Sequence, residues 1–129
     1  MRRLSDTEYE IMDFAWSVTP PFTTAMVMEQ IGDKREWRMQ TAVTLINRLI
    51  DRGFIRAEKA AKGRERLLTP IISREEYLRF ETGSFVEHYH KNSIASLIGS
   101  LKREKISKED LDELSAFVER ARKGGDTDA

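Results

Sequence analysis

The stretch REWRMQTAVTLINRLIDRGFI, Arg35–Ile55, decides how the chain is read. From Met39 to Arg52 its apolar residues recur at helical spacing, and Gly53 follows where a helix end favours left-handed backbone. At about 100° per residue, Ala42, Leu45, Ile46 and Leu49 gather on one side, with Gln40, Thr44 and Asn47 opposite. Thr41 and Arg48 border the polar side on one edge, and Val43 on the other. The apolar set is a core stripe. The polar set is unusual, because a helix that needs only solubility carries Glu and Lys outside, whereas Gln, Thr and Asn suit the edges of bases.

Past Gly53 the pattern turns from helical to extended. Phe54–Glu58 and Arg66–Ile71 read as the strands of a hairpin, with a turn around Ala60–Arg64. Lys62 and Arg64 at the tip suit a phosphate-contacting loop, and a solvated turn accounts for them equally well. Upstream, a first helix is expected over Asp6–Val18, with Tyr9, Met12, Ala15 and Trp16 on its core face. A second, Thr24–Ile31, follows the Pro20–Pro21 turn. Three helices and a hairpin within residues 1–72 make a winged helix-turn-helix: a mainly α fold with a small β-hairpin wing.

Helix starts are marked by capping boxes with apolar staples: Leu4, Ser5, Glu8, Tyr9; Ile72, Ser73, Glu76, Tyr77; Ile106, Ser107, Asp110, Leu111. Phe22, Thr23 and Val27 give a cap and staple without the acid. From Ser73 onward the chain reads as helix throughout. Its large apolar residues have little thickness in which to be buried, so residues 73–124 are expected to form a helical dimerisation module. Phe85, Tyr89, Leu97, Ile98, Leu101, Leu111 and Leu114 supply the interface, and residues 125–129 a frayed tail.

Basic and acidic residues balance at 22 each, but not locally: residues 34–66 hold ten basic and four acidic side chains, between acidic flanks. Such a block suits a polyanion or a merely solvated face. The chain has no Cys, which removes disulfides, thiolate metal sites and thiol catalysis. His88 and His90 are two apart, so on a helix their rings diverge by about 200° and cannot chelate one ion. No glycine-rich phosphate loop occurs. No catalysis, metal or cofactor is therefore expected. The longest uncharged run, Phe14–Met28, is too short to span a bilayer and is broken by Pro20 and Pro21. Arg2 and Arg3 lead into Ser5, Asp6 and Glu8 rather than an apolar run, so no secretory signal is expected and the cytoplasm is the expected compartment.

The chain resembles the penicillinase repressor family. The likeness lies in Leu4, Ser5, Glu8, Tyr9, Glu10, Ile11, Met12 and Trp16 of the first helix, then in Trp37, Thr41, Thr44, Leu45, Arg48, Leu49, Gly53 and Phe54. It implies a homodimeric winged-helix transcriptional repressor on a palindromic operator, released by proteolysis, with a membrane sensor metallopeptidase as a further partner. The family's copper-sensing branch relies on C-terminal cysteines, which are missing here. By alignment on SLIGSL and ISKEDL, the implied cleavage bond joins Ser100 and Leu101. Two positions depart from the pattern: Val43, where a relative carries Arg, and Leu68, where relatives often carry Tyr.

The expected base contacts are Gln40, Thr41, Thr44 and Asn47, the amides suiting adenine and the threonine methyls thymine. The expected backbone contacts are Arg38, Arg48, Lys62 and Arg64. The alternative is a winged-helix adaptor whose basic patch binds an acidic protein.

Overall fold

In the computed structural model, which describes residues 1–60, 63 and 65–124, the stripe Ala42, Leu45, Ile46 and Leu49 is buried along one side of a single helix. The elements run α1 (Asp6–Ser17), α2 (Thr24–Val27), a π-helical turn Met28–Gly32, α3 (Asp33–Arg35), α4 (Met39–Asp51), β1 (Ile55–Lys59), β2 (Arg66–Pro70), α5 (Arg74–His90), α6 (Ile94–Gly99), a 3-10 turn Arg103–Lys105 and α7 (Lys108–Lys123). This is the winged helix-turn-helix plan, followed by further helices.

The start signals work as hydrogen bonds. Ser5 Oγ accepts from the Glu8 N–H at 3.2 Å, and Glu8 Oε1 accepts from the Ser5 N–H at 2.9 Å. Ser73 with Glu76 and Ser107 with Asp110 repeat the exchange, and Thr23 accepts from the Met26 N–H. Each satisfies amides that the first helical turn leaves without a partner.

The second helix does not stop at Ile31. The path widens into the π turn and continues through α3 to Glu36, whose φ of 57° ends it. Gly32 lies within that path with helical backbone, φ −58°, and so does not end it. The Trp37 N–H then donates to Gly32 O at 2.9 Å and closes the turn into α4.

The wing pairs antiparallel, Ile55 opposite Pro70 and Lys59 opposite Arg66. A single-residue bridge adds Phe22 to it, through bonds of 2.9 and 2.8 Å with Leu68. Phe22 and Leu68 are both fully buried, so the wing root is fastened into the core beside the start of α2.

Two compact units divide inside α5, Met1–Ser84 and Phe85 onward, which is later than residue 72. The reason is Tyr77. Only 1% exposed, its ring packs 5.8–6.1 Å from those of Tyr9, Trp16, Phe54 and Phe80. Its hydroxyl accepts from the Leu4 N–H at 2.8 Å and donates to Glu81. Burial first, and then the Glu81 carboxylate, push the Tyr77 pKa up from 10.0 to about 12. Trp16 also anchors the first unit, its indole N–H donating to Ile72 O at 2.9 Å.

The second unit is not continuous helix. Lys91 and Asn92 take positive φ, and Ser93 caps a new helix by accepting from the Ser96 N–H. Asn and a following Ser suit such a break, the first tolerating left-handed backbone and the second capping. Between Ser100 and Ser107 only the 3-10 turn intervenes. A cleft of about 570 Å³ in this unit is lined by Ile98, Leu101, Ile106, Leu111 and Leu114, with Lys102, Lys105 and Asp110.

Candidate nucleic-acid interface

Burial of one side of α4 fixes what the other side presents. Gln40, Thr41, Thr44, Asn47 and Arg48 are all exposed, Val43 is half-buried, and Arg38 stands exposed at the N-cap. The four base-reading candidates and two of the four backbone candidates therefore lie on or beside one uncovered face. Lys62 and Arg64 fall outside the described residues.

The start of α4 differs from those of α1, α5 and α7. No side chain caps it, and its first turn holds no acidic residue. The Thr41 N–H donates to Arg38 O at 2.9 Å, so the amides of Met39 and Gln40 and the positive end of the helix dipole are what no side chain compensates.

The basic block separates into engaged and free charges. Arg52, one residue past α4, donates to Glu8 Oε1 at 3.0 Å, Arg35 meets Glu10 at 2.5 Å, and Arg56 meets Glu58 at 3.1 Å. Arg38 and Arg48 enter no ion pair among the described residues. Glu8 is 2% exposed, so its bridge to Arg52 ties the N-terminus of α1 to the C-terminal end of α4 and fixes how α4 is carried. The sequence shows Glu8 as a capping residue. Its second bond, to a residue 44 positions away, leaves no local signal.

Arg66 was not among the expected site residues. It opens β2 and donates from Nη1 to Asn47 Oδ1 at 2.9 Å, joining the root of the wing to the polar face of α4. Its place in the basic block hints at a surface role, but the partner appears only when the wing folds back beside α4. Leu68, in the second wing strand, is by contrast a fully buried core residue.

Residues 4–120 match the penicillinase repressor family. The chain belongs to that family. It is 26% identical to the penicillinase repressor of Bacillus licheniformis over 118 residues, covering 91% of this chain and 90% of that protein. It is likewise 26% identical to the methicillin resistance regulatory protein MecI of Staphylococcus aureus (strain N315) over 113 residues, covering 86% and 89%. The solved DNA-binding domain of the repressor BlaI superposes with a TM-score of 0.50 at 29% identity, over 60% of this chain and 94% of that domain. The chain is thus a winged-helix protein of a transcriptional repressor family, and α4 is the helix that precedes the wing. Among the described residues no group of His, Asp and Glu could hold a metal ion, and no helix is long and apolar enough to cross a membrane.

In the second unit Phe85, Tyr89, Ile98, Leu101, Leu111 and Leu114 are exposed, and Leu97 is half-buried. Ile94, Phe117 and Val118 are exposed as well and enlarge the apolar surface beyond the expected set. Ser100 caps the end of α6 and Leu101 follows outside any helix, both exposed. Gly99 is the last residue of α6.

Proposed function

We propose that the chain is a homodimeric repressor that reads a palindromic operator with Gln40, Thr41, Thr44 and Asn47 of α4 and holds the DNA backbone with Arg38, Arg48, Lys62 and Arg64. The observation that carries this reading is the outer face of α4, polar but free of carboxylates between Arg38 and Arg48, beside a helix start that nothing caps. Phosphate oxygens suit the open amides and arginines, while the amide and hydroxyl side chains match base edges. Phe85, Tyr89, Leu97, Ile98, Leu101, Leu111 and Leu114 form the dimer surface, since so many exposed apolar side chains on thin helices need a second copy to cover them. Two-fold pairing then sets half-sites about 10 bp apart or a multiple of that.

Release follows from cutting between Ser100 and Leu101. The bond lies at an exposed helix end, which a protease reaches without unwinding a helix. Cutting there separates α7, with Leu111 and Leu114, from α6, weakens the dimer and removes bivalent binding. A membrane sensor metallopeptidase is the partner that this scheme requires, and the cytoplasm its setting.

The test is selection of bound sequences from genomic DNA with the full chain. Thr44→Ala should then cost about 1–3 kcal/mol on the selected site and much less on random duplex. Equal losses on both, or binding to an acidic protein without any duplex preference, would refute the assignment.

A further inference from the structure

We propose that Met39 and Val43 form an apolar edge to the reading face of α4 and recognise the 5-methyl groups of thymines in the operator. The inference rests on the reading of α4 as the base-contacting helix. Around the helix Val43 lies about 40° from Asn47, and Met39, one turn before it, lies about 40° further round. The two therefore run as a strip along the border of Gln40, Thr44 and Asn47, on the side away from Thr41 and Arg48. Ile50, further along the same side, packs against the core; among the described residues Met39 and Val43 do not belong to that packing. Met39 is 51% exposed and Val43 is half-buried. Two apolar side chains thus stand outside the core in the first half of α4.

What side chains of this kind meet in a major groove is limited. Base edges there offer hydrogen-bonding groups, and the thymine methyl is the apolar group among them. Residues towards the N-terminal end of a recognition helix are the ones that reach those edges. Side chains on a helix lean towards its N-terminus, so Val43 leans over the turn that Met39 begins. Val43 is stiff at χ1 and holds its methyls in place, whereas Met39 is unbranched and adapts to the surface it meets. Taking one methyl group out of water is worth about four-fold in affinity. The strip thus adds to the polar reading of α4 a preference that hangs on one carbon atom of the base.

The experiment replaces each thymine of the selected operator in turn by deoxyuridine, which removes the methyl and keeps every hydrogen-bonding group. Binding of the full chain is measured alongside Met39→Ala, Val43→Ala and Thr44→Ala. Alanine favours helix, and neither Met39 nor Val43 belongs to the core, so the first two variants should keep the parent's circular dichroism. At one thymine or more the parent should lose about four-fold when the methyl is removed. That penalty should all but vanish in Met39→Ala or Val43→Ala. A threonine methyl also suits thymine, so Thr44→Ala marks any base read that way, and the penalty at the strip's own thymine should persist in it. Deoxyuridine that costs nothing at every thymine, a penalty undiminished in both apolar variants, or variants that bind every duplex more weakly by one common factor would overturn the proposal. If the parent selects no sequence at all, the reading of α4 falls with it, which separates that failure from the other three.

Discussion

Tyr77→Phe isolates one hydroxyl without disturbing the ring that holds the start of α5 in the first unit. The buried Leu4 N–H loses its acceptor, and a buried unsatisfied amide costs about 1–3 kcal/mol. The hydroxyl bond to Glu81 is also lost, but that side chain is 29% exposed and keeps Arg3 at 2.6 Å, so water and the guanidinium recover most of it. Because the ring stays packed against Tyr9, Trp16, Phe54 and Phe80, no cavity contribution is added. The expected loss is about 2 kcal/mol, read from urea unfolding followed by tryptophan fluorescence, with an unchanged m-value. A second reading comes from pH. The folded hydroxyl holds its proton to about pH 12, whereas the unfolded one releases it near 10.0. In that window the folded state binds more protons, so the parent loses stability as pH rises, and Tyr77→Phe cannot lose this contribution. The gap between the two proteins should therefore narrow from pH 10 towards pH 12. A loss below about 0.5 kcal/mol at neutral pH, within the range of ordinary surface changes, would refute the role given to the hydroxyl, as would a gap that widens with alkali.

Arg48→Ala should weaken binding to every duplex alike and reduce the slope of log affinity against log salt by about one unit; an unchanged slope removes Arg48 from the backbone contacts. Leu111→Asp should turn the dimer into monomers in sedimentation experiments while leaving the far-ultraviolet spectrum of the first unit intact, and a parent already monomeric at high concentration would refute the dimer surface. Cells carrying the native locus, induced and followed by mass spectrometry, should yield fragments ending at Ser100; derepression with the chain intact between Ile98 and Lys102 would reject release by cutting.

Most of the fold is legible in the sequence because its signals are local. Capping boxes at Ser5, Ser73 and Ser107 act within four residues, and the stripe Ala42, Leu45, Ile46 and Leu49 needs only helical periodicity. What escapes is set by distance along the chain or by dual use of a residue. Phe22 looks like a staple ahead of Thr23, and its bridge to Leu68 depends on a strand 46 residues away. Gly32 has the chemistry of a stop yet takes helical backbone, and the path runs on through it to Glu36. Lys91 and Asn92 break a segment whose apolar spacing runs on unbroken. For the candidate site, exposure of the α4 face follows from its periodicity. The Arg66–Asn47 pair does not, because the hairpin register decides which strand residue arrives beside α4.

The unadorned start of α4 bears on how far this protein could be stabilised by design. A capping residue in place of Arg38 would raise helix stability by about 1 kcal/mol, since Asp or Ser would take up the leading amides. Those same amides are the groups that phosphate oxygens would occupy in the proposed complex. In that proposed complex, thermal robustness and operator affinity would compete for one set of N–H groups. Selection for heat tolerance alone would be expected to erode repression through position 38, without altering any residue that reads a base.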